Sequence, residues 1–113
     1  MRVRGKAMVK FIGVVTRRPG MPRDEFLHYW REVHGPLAAA LPGLRRYVQN
    51  PPVEVSGREP RYDGVAELWF DDLDSLRAAF RTPQGERVRA DESQFIDQAR
   101  SFAMIVEERE VSL

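Results

Sequence analysis

Residues 28–47 read HYWREVHGPLAAALPGLRRY. The stretch opens as a helix and must become a strand across a Pro-Gly turn, so its reading decides the fold. Just upstream, Pro22 suits the first position of a helix, and Asp24 and Glu25 suit the positive end of its dipole. Met21 is a poor cap, because its side chain offers no oxygen. Phe26, Trp30, Val33 and Leu37 recur at i, i+4, i+7 and i+11, the rhythm of a buried helical face. Gly35-Pro36 breaks that rhythm. Pro36 has no N–H to give the carbonyl of Glu32, so a kink or loosened turn is expected there. Pro42-Gly43 ends the helix, and residues 44–49 read as a strand stopped by Asn50-Pro51-Pro52.

Working outward, residues 7–16 are rich in Val, Ile and Phe and read as a central strand with Lys10 polar in its middle. RRPGM then turns the chain into the helix. Residues 53–61 are polar, with Gly57 and Pro60, and read as a flexible loop. A third strand follows over 62–70. Asp71 or Asp72 caps a short helix through Arg81, and Thr82-Pro83 opens another to about Ala99. Residues 102–108 form the last strand. The order β-α-β-β-α-β is the split βαβ, ferredoxin-like arrangement, an α+β fold with a four-stranded antiparallel sheet. Its helices cover one face only. The other face, carrying Val65 and Trp69, needs cover, and a homodimer packed sheet on sheet is the simple remedy.

The chain has 113 residues, which fits one domain spanning 1–113. It has no cysteine, which removes thiol nucleophiles, thiolate metal sites and redox switches. Eighteen Lys and Arg face 17 Asp and Glu, for a net charge of +1, a balance that argues against a nucleic-acid binder. No apolar run is long enough to span a membrane. The apolar run after the charged first residues is short and broken by Lys10, so it reads as a strand rather than a signal peptide, and the cytoplasm is the default location.

Both histidines lie in the deciding stretch. At about 100° per residue, His28 falls opposite the Phe26–Trp30–Leu37 stripe and is expected in solvent. His34 follows Trp30 by one turn, at the margin of the apolar face, beside the Gly-Pro break where a cavity fits best. Taken alone, it reads either as a hydrogen-bonded structural residue or as a pocket group. A metal site is not expected, because the two histidines are six residues apart and a helical pair of ligands needs i, i+3 or i+4. Tyr47 alternates with Leu44, Arg46 and Val48 and is expected on the opposite side of its strand from them. Glu67 sits in the apolar strand VAELWF, so it is either paired or functional. Asp91 and Glu92 flank a Val88–Phe95–Ala99 stripe at the margin of the core.

The runs RRPGMPRDEFLHYWREVHGPLAAALPGLRRYVQN, YDGVAELWF and ADESQFID, and above all F-x-x-Y-W-x-x-x-H-G-P-L from Phe26 to Leu37, resemble the EthD family of the dimeric α+β barrel superfamily. Met21 departs from the Ser or Thr often found as the helix cap in such sequences. The resemblance implies a ferredoxin-like protomer, paired through its sheets, with a pocket between helices and sheet. The family is named for a role in degrading a fuel ether alongside a cytochrome P450 system. Relatives in the superfamily include methylmuconolactone methylisomerase, polyketide cyclases and small monooxygenases. The isomerase relies on a histidine and a tyrosine spaced like His34 and Tyr47, and EthD-like dehydratases pair a histidine with an aspartate, here matched by Asp91.

On that footing His34 is general acid or base, Tyr47 hydrogen-bonds an enolate oxygen, and Asp91 orients His34 or shares the proton. Trp30, Trp69 and Phe95 form apolar walls, and Glu67 joins the substrate-binding set. The implied activity is a cofactor-independent isomerase, cyclase or dehydratase acting on a small enolisable aromatic or lactone-like molecule. The alternatives are a binding or accessory protein for a hydrophobic metabolite, supporting an oxygenase, and a heme protein with His34 as axial ligand. No phosphate loop or metal cluster signals a cofactor.

Overall fold

The computed structural model describes residues 8–113. Four strands, β1 (Val9–Val15), β2 (Leu44–Asn50), β3 (Gly64–Phe70) and β4 (Phe102–Glu107), form one antiparallel sheet in the order β2-β3-β1-β4. The expected first residue of β1, Ala7, lies outside the described residues. Between β1 and β2 run α1 (Arg23–Tyr29), a π-helical turn (Trp30–His34) and α2 (Gly35–Ala39). Between β3 and β4 run α3 (Leu73–Phe80), α4 (Pro83–Glu92) and a 3₁₀ turn (Gln98–Arg100). This is the expected ferredoxin-like α+β fold. Asp72 caps α3 by accepting from the Ser75 N–H, and Thr82 caps α4 by accepting from the Gly85 N–H.

Side-chain alternation gives the sheet two unlike faces. Phe11, Ala66, Leu68 and Phe70 face the helices and join Ala38, Leu76, Ala79 and Val88 in one core cluster. A second cluster gathers Val15, Phe26, Trp30, Phe95 and Ile96. The opposite face carries Ile12 beside Glu67 and Met104, and Lys10 beside Trp69 and Val106. Phe102 and Met104 are more than half exposed there. An ion pair stands in the middle of this apolar surface: Lys10 Nζ lies 2.8 Å from Glu67 Oε2.

Three local features depart from the sequence pattern. The first is the π turn. The Gly35 N–H reaches back five residues to the Trp30 carbonyl, just ahead of Pro36, where a loosened turn is expected. At about 3.6 residues per α-turn, a four-residue step overshoots by roughly 40°; the wider turn absorbs that drift. The buried positions therefore run Phe26, Trp30, His34, Ala38, and Val33, expected in the core, is 42% exposed. His34 has taken the inward place.

The second is a β-bulge. Leu44 pairs with Phe70 and Arg46 with Trp69, leaving Arg45 as an extra residue. The insertion puts Leu44 on the same face as Tyr47, packed against the core, instead of outward with Arg46 and Val48. The third is the end of α4, at Glu92 instead of about Ala99. Tertiary pairing wins here: Ile96 bridges Arg17, the Arg18 N–H donates to the Phe95 carbonyl (2.8 Å), and the Asp97 N–H donates to the Thr16 carbonyl (2.9 Å). Residues 53–61 are mostly exposed and contain a small bridged turn, Val55 to Arg58, around Gly57.

Candidate functional site

Between the two core clusters lies a cavity of about 290 Å³. Its walls are mostly apolar, from Phe11, Trp30, Ala66, Leu68, Phe80, Val88 and Ile96, and its polar groups are His34, Tyr47, Glu92, Gln98 and Ser101. A cavity of about 150 Å³ holds one benzene ring, so this space suits one or two fused rings. Small-molecule sites have this composition, largely apolar with a few placed polar groups.

His34 enters from the end of the π turn. Its Nδ1 lies 2.9 Å from Asp91 Oδ2, with both side chains largely buried. The Tyr29 hydroxyl donates to the other oxygen, Oδ1, at 2.5 Å. Burial, reinforced by the Asp91 carboxylate, pushes the Tyr29 phenol up to about 12, so its proton stays in place. A carboxylate can only accept, so with Asp91 ionised the Nδ1 contact favours the tautomer that carries its proton on Nδ1. The His34 ring packs on Phe95 at a centroid distance of 4.7 Å. Among the described residues Nε2 has no hydrogen-bond partner, and no buried side-chain nitrogen or oxygen lacks one, so Nε2 is not sealed from its surroundings. His34 lines the cavity.

Tyr47 faces the helices and lines the same cavity. Gln49, two residues on and on the same face, donates from Nε2 to the Trp30 carbonyl (2.9 Å) and to Tyr47 Oη (2.7 Å). The carbonyl can only accept, which fixes the orientation of the amide. Tyr47 then accepts from Gln49, and its own O–H proton is left for a ligand. Burial raises the Tyr47 phenol above 10.0, so the proton is retained at neutral pH. Burial also raises the Glu92 carboxyl above 4.5, and Gln98 Nε2 donates to it at 3.3 Å.

The structure thus brings His34, Asp91, Tyr47 and Trp30 to one place and separates three other residues from it. Phe95 is fully buried behind His34 and is a support, not a cavity wall. Glu67 and Trp69 lie on the opposite face of β3, because residues of one parity share a face and the cavity takes the other, Ala66 and Leu68. Trp69 stacks between Lys10 and Arg46, at 4.8 and 4.7 Å, and donates to Glu108. Glu67 holds Lys10 and accepts from Asn50. Neither lines the cavity that holds His34. His28 is exposed, as expected.

Tyr29, Gln49 and the cavity-facing position of Glu92 escape the sequence pattern. Gln49 had a usable signal, its two-residue spacing from Tyr47. Among the described residues, no group of His, Asp and Glu is arranged to hold a metal ion, and no helix is long and apolar enough to cross a membrane.

Comparison with known proteins agrees with this fold. An uncharacterized 11.0 kDa protein from the thcB–thcC intergenic region of Rhodococcus erythropolis is 26% identical over 84 residues, 74% of this chain and 81% of that protein. The crystal structure of an EthD family protein from Bacillus halodurans C-125 superposes with a TM-score of 0.78 at 29% identity, covering 90% of this chain and 99% of that one. Two further structures share the fold. A dimeric ferredoxin-like protein of unknown function from Thermobifida fusca has a TM-score of 0.70 at 17% identity, covering 96% of each chain. SnoaB, a cofactor-independent oxygenase from Streptomyces nogalater, has a TM-score of 0.66 at 16% identity, covering 93% of this chain and 96% of that one. The EthD domain model matches residues 18–99, and the chain belongs to the EthD family.

Proposed function

We propose that this protein is a cytoplasmic, cofactor-independent acid–base enzyme, an isomerase, cyclase or dehydratase of a small enolisable ring compound. His34 is its base, and two copies pair through their open sheet faces. One observation carries the chemistry. His34 Nδ1 is held 2.9 Å from Asp91, whose other oxygen is occupied by Tyr29, and the same imidazole lines a mostly apolar cavity, which leaves Nε2 as the nitrogen to meet a substrate.

In that arrangement Nε2 takes a proton from the carbon beside a carbonyl, and the electron pair moves onto the carbonyl oxygen. Asp91 stabilises the imidazolium that forms. The Tyr47 O–H donates to the oxygen as its charge develops, between mostly apolar walls. Return of the proton to a different carbon is isomerisation. Delivery of that proton to a β-hydroxyl, which leaves as water, is dehydration. Both run without an external oxidant or reductant.

The pairing is supported by the half-exposed Phe102 and Met104 beside Ile12 and Val14 on one face, and by a fold shared with a dimeric neighbour. The alternative, a carrier that shelters a hydrophobic metabolite for an oxygenase, is favoured by the same apolar walls.

2-Tetralone, an enolisable bicyclic ketone, separates the two. In D2O, NMR should show its α-protons exchanging faster with the protein than with buffer. His34→Ala should slow that exchange by about 10²–10⁴-fold, the usual contribution of a positioned base. Quenching of Trp30 emission without faster exchange supports the carrier.

A further inference from the structure

At the end of β1, outside the cavity, a separate polar cleft of about 310 Å³ is lined by Arg17, Arg18, Arg23, Arg61 and Arg100, with Asp63 and Glu59 the two carboxylates. We propose that this cleft is an oxyanion site for a phosphoryl or pyrophosphoryl group.

The cleft is organised around Asp63, which is buried. Its Oδ2 accepts from the Arg17 N–H at 2.8 Å. Its Oδ1 accepts from Arg17 Nη1 at 2.8 Å and from Arg23 Nε at 3.3 Å. One carboxylate therefore fixes two guanidiniums and leaves Nη2 of Arg17 and both amino nitrogens of Arg23 with no partner among the described residues. Arg61 and Arg100 have no ion pair among the described residues; Arg61 lies over Tyr62 at 5.8 Å. Arg18 is tethered by a 3.5 Å bond to the Gln94 carbonyl.

Five arginines against two carboxylates leave three positive charges in excess, in a chain whose whole net charge is +1. Like charges held this closely repel one another unless a counter-anion sits among them. A lone carboxylate satisfies one guanidinium fork, whereas a phosphoryl group offers three acceptor oxygens and more charge to several forks at once. The pre-tethered pair also lowers the entropy lost on binding.

The test is a titration of the 15N-labelled full chain with inorganic phosphate, pyrophosphate and phenyl phosphate at matched ionic strength, with sodium chloride as control. Saturable NMR shifts are expected at the amides of residues 16–18, 20, 61–63 and 100, with pyrophosphate tighter than phosphate. Arg61→Gln and Arg100→Gln do not touch Asp63, so they preserve the folded network, and each should weaken binding about tenfold, equivalent to 1.4 kcal/mol. Phenyl phosphate binding no tighter than phosphate identifies a free anion. Tighter binding identifies an organic phosphate ester. Either supports the site. Shifts that match chloride, or a double variant that titrates like the wild type, overturn it.

Discussion

Replacing Gly64 by alanine tests how the cavity wall is built. Gly64 begins β3 directly beneath the Trp30 ring. An added Cβ would sit 2.4 Å from Trp30 Cζ3 and 2.5 Å from Cη2, where ordinary contact starts at 3.4 Å. The ring must therefore retreat by about 1 Å. Trp30 is only 3% exposed and packs on Phe26 at 5.7 Å, so the free direction is into the cavity. Overpacking of this kind costs about 1–3 kcal/mol, roughly 4–12 °C in Tm for a chain of this size. Thermal unfolding followed by circular dichroism should show that loss, and the remaining cavity should take 2-tetralone more weakly. A smaller ring at position 30 should relieve the overlap, so Gly64→Ala should cost far less in a Trp30→Phe background. A Gly64→Ala penalty under about 0.5 kcal/mol, or one unchanged in the Trp30→Phe background, would refute the packing argument.

Three further outcomes follow from the same geometry. Tyr47→Phe should slow ketone exchange by about 10- to 10³-fold with little effect on ligand affinity. Combined with His34→Ala it should lose less than the two single losses together, as expected of groups serving one step; full additivity would argue that they act apart. Trp69→Glu should convert a particle of about twice 13.1 kDa into a monomer by light scattering and leave the cavity intact; a stable dimer would place the interface elsewhere.

The Lys10–Glu67 pair sets a pH window. The Lys10 hydrogen bond holds the Glu67 carboxyl below its ordinary 4.5, so the pair's stabilisation is complete above about pH 4.5 and is lost as pH falls through the depressed value. The Glu67 hydrogen bond raises Lys10 above 10.5, so the contribution is complete below about pH 10.5 and is lost as pH rises through the raised value. Glu67→Gln should flatten the acid limb of Tm against pH, and an unchanged slope would show that the pair contributes nothing.

The order of elements was legible because each boundary carries its own chemistry: Pro22 and Thr82-Pro83 at helix starts, Pro42-Gly43 and Asn50-Pro51 at stops. Side-chain facing was legible only in part. VAELWF is apolar at both parities, so alternation groups Glu67 with Trp69 but cannot tell which group meets the helices. Alternation likewise sets Tyr47 opposite Arg46 and Val48 without saying which side meets the helices, and the bulge at Arg45, which turns Leu44 inward beside it, is an insertion that no periodicity reveals. Pro36 announced a loosened turn, but the rotation that exchanges Val33 for His34 depends on the π geometry it produces. The end of α4 was missed because DESQFID has no breaker; a bridge to Arg17, distant in sequence, stops the helix. Asp91 was matched to His34 through family likeness, whereas Tyr29, which holds Asp91 in place, looked like one more residue of an aromatic helix.

The most direct measurement of the central claim is the tautomer of His34. Long-range 1H–15N correlation of 15N-histidine-labelled protein, with the imidazole neutral, reads which ring nitrogen carries the proton, and His28→Ala assigns the signals. The Asp91 contact predicts a protonated Nδ1 and a bare Nε2 whose resonance moves when 2-tetralone fills the cavity. In Asp91→Asn the tautomer preference should weaken or reverse, and ketone exchange should fall with it. A wild-type His34 protonated on Nε2, or an Nε2 resonance indifferent to the ligand, would contradict the assignment of His34 as the base.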